Sequence, residues 1–432
     1  MRRDIFAALA AATISLFDWC SASAQGACTG PVTQREVVRC ALDQSPEVRR
    51  ARLELQALAG RRVTAGVWLP RLPGVSFQAD QRTFFGGAPG STFNWYVTLS
   101  QEVEIGGQRG ARLREVDATL DAEIRRYAVV RLDVSAQALA AYFDVVAAND
   151  FVQLAREVGR VADGLGALAQ ARAQESLVSP VDADVAKSEA VQISQIRYEA
   201  ERRQSSAQTL LAGLLGLDPA EPISVTGELS PQQTTPTAIE AGLAGLETTA
   251  LMLRGEIAAA QAERRVLESR LDLIRRLQIP NPTVSFFAQR DGFSERVIGG
   301  GISIPIPLLS PIWPSRAGEI QETIARIEQA SANVALVRRQ VRIQVAQAYA
   351  DWRSRRAALQ QYFPDLMVRA KRDLGAIGEG LSSRQLTVRD ALLAQRSLIQ
   401  LELGHVEARR AYAAAWVNLM RMSGFDLAEG RP

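Results

Sequence analysis

The chain has 432 residues, 47% of them hydrophobic but only 6% aromatic, with 50 Lys and Arg against 47 Asp and Glu. A formal net charge of +3 gives no basic footprint for nucleic acid, so no nucleic-acid partner is expected. One histidine and three cysteines, with no C-x-x-C pair, exclude a zinc centre, so no metal site and no cofactor are expected.

In chain order, Arg2 and Arg3 precede an apolar run from Ile5 to Phe17, and Ala22-Ser23-Ala24 offers a small-residue cleavage site. Residues 1–24 therefore read as a secretory signal peptide. In an oxidising compartment the remaining Cys28 and Cys40 are expected to form a disulfide. No later segment carries the uncharged apolar run of a membrane-spanning helix.

A helix is expected from Pro46 to Leu69. Period-two alternation follows: Val75, Phe77 and Ala79 against Ser76, Gln78 and Asp80. The same holds for Phe93, Trp95, Val97, Leu99, Val103 and Ile105 against polar neighbours. This predicts a hairpin over about 72–105 with its tip near Gly86-Gly87. No proline occurs between Pro89 and Pro180, and Leu113, Val116, Leu120, Ile124 and Tyr127 continue in steps of three and four. A long helix over 109–175 follows, reaching about 100 Å at the helical rise. A return helix over 181–217 and a proline-rich connector over 218–240 complete a first repeat, 25–240.

The second repeat, 241–432, holds a hairpin over 282–307 with its tip near Asp291-Gly292. Ile298, Ile302, Ile304 and Ile306 share one parity there. A long helix over 316–376 and a return helix over 387–422 close the chain. Pro364 falls inside that long helix, where the first copy has no proline.

The two halves are one unit written twice. Residues 181–218 recur at 389–426, with identities such as Asp182/Asp390, Arg202/Arg410, Gly216/Gly424 and Asp218/Asp426. At an offset of 207, Arg109, Gln137, Tyr142 and Asp144 match Arg316, Gln344, Tyr349 and Asp351. The repeat is far longer than the roughly 20–50 residues of a solenoid unit, so it implies a pseudo-symmetric pair of halves.

Strands of about ten residues that alternate apolar and polar suit a bilayer-spanning β-structure, apolar toward lipid and polar toward a lumen. An amphipathic hairpin packed on soluble helices gives the same alternation. Four strands cannot close a barrel, and open edges are not tolerated in hydrocarbon. If the hairpins enter a membrane, two, three or four chains would pool eight, twelve or sixteen strands.

The duplication, the hairpin placement and the stretch Gln101-Glu102-Val103-Glu104-Ile105-Gly106-Gly107-Gln108-Arg109 resemble the TolC-type outer-membrane factors over essentially the whole mature length. Ser303-Ile304-Pro305-Ile306-Pro307 and Arg316-Ala317-Gly318-Glu319-Ile320 resemble the heavy-metal (cobalt–zinc–cadmium type) efflux branch. The resemblance implies a mainly α chain with a β-hairpin membrane part: a duplicated long-helix α-barrel, and four strands contributed to a shared twelve-stranded barrel of a homotrimer. It implies the outer membrane of a Gram-negative bacterium, a periplasmic helical extension, surrounding outer-membrane lipid, a periplasmic adaptor protein and an RND-type inner-membrane pump. The function implied is a passive exit duct, with metal cations as the cargo of that branch. The same channel serving drug efflux or type I secretion is an alternative, as is a secreted periplasmic coiled-coil scaffold without a pore.

By the same resemblance, the turns between long helices form the periplasmic entrance. Val178, Ser179, Pro180, Gly380, Leu381 and Ser382 are then the adaptor-contacting tips. Asp390 matches the first of two aspartates of the entrance constriction, the second of which falls on Leu393. Asp182 and Asp390 become candidate gate carboxylates, with Arg384 and Arg389 as latch partners. A carboxylate just inside a helix N-terminus also has a purely helical use, since it favours the macrodipole. No catalytic constellation exists: there is no H-E-x-x-H, no serine elbow and no phosphate-binding glycine loop, so no enzymatic activity is expected. His405 reads as a packing or surface residue.

Overall fold

The computed structural model describes residues 30–83, 91–220, 223–231, 237–290, 295–306, 316–383 and 385–427. The signal segment, Cys28, both hairpin tips, Pro307 and Arg384 lie outside the described residues.

Helix α1 (Gln34–Gln44) opens with a capping box: Oγ1 of Thr33 accepts from the Glu36 amide, and the Glu36 carboxylate accepts from the Thr33 amide. Helix α2 is Pro46–Ala65. Strands β1 (Gly74–Thr83) and β2 (Ser91–Glu102) precede α3 (Gln108–Gln174), a single helix of 67 residues. Helix α4 (Pro180–Leu215) returns, followed by α5 (Thr237–Glu240), α6 (Gly242–Leu253) and α7 (Gly255–Arg276). Strands β3 (Thr283–Arg290) and β4 (Arg296–Ser303) then precede α8 (Ala317–Gln360), α9 (Pro364–Ser382) and α10 (Val388–Ser423).

Where one helix over 316–376 is expected, there are two. Proline lacks the amide that an interior turn needs, and it restricts its predecessor to extended backbone. Phe363 accordingly sits at φ −63°, ψ 136° as the N-cap of α9, with Pro364 in the first turn. The strands also end earlier than alternation suggests, since Val103 and Ile105 lie past β2, and Ile304 and Ile306 lie past β4.

The chain divides into two compact units. One comprises Met1–Ala51, Ala128–Arg254 and Gln340–Pro432; the other comprises Arg52–Tyr127 and Gly255–Arg339. In the first, a core cluster joins α3, α4, α9 and α10 through Val158, Leu165, Ala169, Ala183, Ile193, Leu374, Ile377, Leu381, Ala391 and Ile399. Alanines at these contacts let helices approach closely, as ridges seat in grooves. In the second unit the strands form one antiparallel sheet in the order β1-β2-β3-β4.

Candidate functional site

The sheet carries the first functional geometry. Register pairs Phe77 with Val97 and Ala79 with Trp95 across β1 and β2. It continues Val97 to Ala288 and Leu99 to Phe286 across β2 and β3, then Ala288 to Ile298 and Val284 to Ile302. Directly opposed residues share a face, so these apolar side chains form one surface. Val75, Phe77, Phe93, Leu99, Phe286, Ile298 and Ile302 are all exposed on it. The opposite face carries Ser76 with Thr98, Gln78 with Tyr96, and Asp80 with Asn94, where Asn94 Nδ2 donates to Asp80 Oδ1 at 2.9 Å. Among the described residues, β1 and β4 each have one strand neighbour and leave the other edge open. A sheet with an exposed apolar face and two open edges is incomplete in any solvent.

The motif from Gln101 to Arg109 is the joint between β2 and α3. Gly107 takes φ 73°, a left-handed turn that residues with a Cβ disfavour. A Cβ on Gly106 would fall 2.8 Å from that of Ile279. Gln108 is fully buried and ties the joint: its Oε1 accepts from the Gly106 amide at 2.8 Å, and its Nε2 donates to Asn281 Oδ1 at 2.9 Å. Asn281 in turn donates to Glu102 at 2.8 Å. Arg109 donates to the Gly66 carbonyl at 2.7 Å with its guanidinium over Trp68, and Arg112 pairs with Glu104. Every polar residue of the motif thus has a local structural use.

The two turns between long helices lie at the same end of the first unit, since Ala169, Ala183, Leu381, Val388 and Ala391 belong to one cluster. At the first, Ser176 takes φ 58°, and Ser179 caps α4 by accepting from the Val181 amide at 3.3 Å. Ser179, Pro180 and Asp182 are exposed, and Val178 packs against the cluster. At the second, Thr387 caps α10 by accepting from the Asp390 amide at 3.1 Å, while its hydroxyl donates to the Asp390 carboxylate at 2.7 Å. One carboxylate oxygen of Asp390 is therefore engaged in the cap. Asp182, Asp390 and Arg389 are exposed and make no ion pair within the described residues.

One tip residue needs correction. Leu381 is only 1% exposed and anchors the turn in the core, so it presents no contact surface to a partner. Gly380 faces Leu386 closely, and its carbonyl accepts from the Gln385 and Leu386 amides. Cys40 is buried and disulfide-bonded. His405 is half-buried against the Tyr362 ring, and burial, with Arg409 adding, lowers its imidazole below the ordinary value.

The charged helix faces carry an ordered set of ion pairs. On α3 and α10, Arg421 pairs with Asp133, Arg410 with Asp144 at 2.9 Å, and Arg409 with Asp150 at 3.4 Å. Arg410 also holds Glu407 at 2.7 Å. An open groove of about 1050 Å³ between α4 and α10, floored by α3, is lined by Asp144, Glu199, Arg202, Arg203, Glu407 and Arg410. Hydrogen bonds from Arg202 and Arg203 hold the Glu199 carboxyl down at about 2. Spacings of three and four on Arg and Glu were the available signal, and the cross-helix partners were not readable from it. Such mixed charge makes a hydrophilic wall. It holds no nucleophile–base pair, and among the described residues no group of three acidic, cysteine or histidine side chains could hold a metal ion.

A family model described as outer membrane efflux protein matches residues 37–217. Protein CyaE of Bordetella pertussis is 28% identical over 337 residues, covering 75% of this chain and 69% of that protein. The cobalt-zinc-cadmium resistance protein CzcC of Cupriavidus metallidurans is 25% identical over 380 residues, covering 87% of this chain and 86% of its own. Among solved structures, the open state of the Neisseria gonorrhoeae MtrE outer membrane channel superposes with a TM-score of 0.70 at 18% identity, over 92% of this chain and 91% of that one.

Proposed function

Because the chain belongs to the outer membrane efflux protein family, we propose that it forms the exit duct of a tripartite efflux system, assembled as a homotrimer. It is an outer-membrane channel protein with a periplasmic helical part, not an enzyme. One observation carries the duct reading: a four-stranded sheet with an apolar face and two open edges. Three such sheets joined edge to edge supply twelve strands and no remaining edge, which is the condition for residence in hydrocarbon. The duct is passive, and energy enters through an inner-membrane pump of the RND type coupled by a periplasmic adaptor. Purified protein should form heat-dissociable oligomers in detergent and conduct ions across a planar bilayer. A monomer that stays soluble without detergent would instead be the pore-less scaffold.

Likeness to a cobalt-zinc-cadmium resistance protein favours divalent metal cations as cargo. Deleting the gene should then raise sensitivity to these metals and leave sensitivity to dyes and antibiotics unchanged. The reverse pattern would move the duct to drug efflux, and loss of an exported polypeptide would move it to type I secretion.

At the entrance, Asp182 and Asp390 form a cation-attracting rim, and Arg389 and, beyond the described residues, Arg384 serve as their latch partners. The exposed Ser179 and Pro180, with Val178, Gly380 and Ser382, form the adaptor-docking tips. A ring of carboxylates in a narrow pore selects by electrostatics. Asp390→Ala should reduce single-channel cation preference; unchanged conductance and selectivity would leave Asp390 a helix cap alone. Cys28 is the proposed partner of Cys40, which non-reducing peptide mapping would test.

A further inference from the structure

The internal repeat turns one contact inside the chain into a template for a contact between chains. Each long helix has two faces to compare. The first, Val134, Ala138, Ala141 and Val145 on α3, is buried, and so are its repeat mates Val341, Val345, Ala348 and Trp352 on α8. The second face breaks the equivalence. On α3 it comprises Ala136, Phe143, Asp144 and Ala147; the first, second and last are buried, and Asp144 pairs with Arg410 of α10. Its mates on α8, Ile343, Ala350, Asp351 and Ser354, are all exposed; Ile343 is 47% exposed where Ala136 is 8%.

The return helices show the complementary gap. Val406, Ala413 and Val417 of α10 are buried, and Arg410 between them reaches Asp144. Their mates on α4, Tyr198, Ser205, Thr209 and Arg202, are exposed; Tyr198 is 56% exposed where Val406 is 7%. These residues recur every three or four positions, so they form one stripe. Arg202 holds Glu199 at 2.7 Å as Arg410 holds Glu407, yet among the described residues it makes no ion pair to another helix. Among the described residues, Asp351 pairs only with Arg355 on its own helix.

We infer that the α4 stripe of one chain docks on the α8 face of a second copy, with Arg202 meeting the neighbour's Asp351 as Arg410 meets Asp144. The inference rests on the trimeric reading and names the surfaces that build it. The two surfaces differ, so the contact is head-to-tail, the type that closes into a ring when its rotation allows. Charge is complementary across it, and Tyr198 and Ile343 would lose their exposure.

The test uses full-length protein in detergent. Arg202→Glu and Asp351→Arg should each speed dissociation of the oligomer to monomers roughly tenfold, and the double exchange should restore the wild-type rate. Co-expressed, differently tagged chains, one with Arg202→Cys and the other with Asp351→Cys, should join through a short bismaleimide. Chains carrying either substitution alone should give no such product. A stable wild-type oligomer with no mixed product and no rescue by the double exchange overturns this interface while leaving the duct intact. A wild-type chain that is monomeric removes the duct reading itself.

Discussion

A glycine that caps α4 and a glycine inside α3 allow a test in which one chemical change has opposite signs at two sites. Gly216 ends α4 at φ 69° and Gly424 ends α10 at φ 82°. Leu217 and Phe425 each close the same back-bond, to Ala212 and Met420. Gly216→Ala places a Cβ in left-handed backbone, at about 1–2 kcal/mol. The same Cβ would lie 2.9 Å from the Gln44 carbonyl oxygen, so the end of α1 must shift. Loss of unfolded-chain freedom offsets about 0.4–1 kcal/mol. With the overpacking, the net cost is about 2 kcal/mol. Gly164 lies inside α3 with open space around its Cβ position. There, Gly164→Ala should stabilise by about 0.8–1 kcal/mol. Hydrogen–deuterium exchange of the detergent-solubilised protein reads both locally. Amides of α1 and the last turns of α4 should exchange up to about 30-fold faster in Gly216→Ala, and those around residue 164 more slowly in Gly164→Ala. Unchanged protection of α1 in Gly216→Ala, or changes of the same sign at both sites, would refute the reasoning.

Two further outcomes follow from buried polar groups. Arg254 is 3% exposed and donates to the Met422 carbonyl at 2.9 Å and to Gln344 Oε1 at 3.0 Å. Arg254→Leu strands both acceptors and should cost about 1–3 kcal/mol for each acceptor left unpaired, seen as a lower thermal midpoint. His405 has its folded pKa lowered from 6.5, so the unfolded chain binds the proton more readily. Stability is therefore lost as pH falls below 6.5 toward the folded value. His405→Gln removes that loss, and its thermal midpoint should fall less than the wild type's between about pH 7.5 and about pH 5.5. Parallel midpoints for both proteins would contradict it.

The fold class was legible because its periods are clean. Phe77, Trp95 and Val97 each sit on the apolar parity of their own strand, and the structure puts them on one face of one sheet. The ends were less legible, because alternation continues past the ladder: Val103 and Ile304 keep the parity after the pairing stops. Leu381 was misread because a turn in sequence is not a surface in space, and a single leucine can plug the core beneath it. Thr387 was overlooked because its use is local, capping α10 through the carboxylate that drew attention to Asp390. The pairing of α3 with α10 was invisible for a different reason. Asp144 and Arg410 are 266 positions apart, and nothing in a helical period selects one distant partner over another.

The matched caps have an evolutionary consequence. Ser179 and Thr387 start the two return helices, Gly216 and Gly424 stop them, and both helices have 36 residues. Each is a ruler with fixed stops at both ends, retained while most of the residues between them diverged. One inserted residue would turn everything beyond it by about 100° and bring polar side chains to the packed stripe. Seven would add about two turns and nearly restore phase. Length variation among relatives should therefore arrive in steps of seven, and in both halves together, so that the two rulers stay equal.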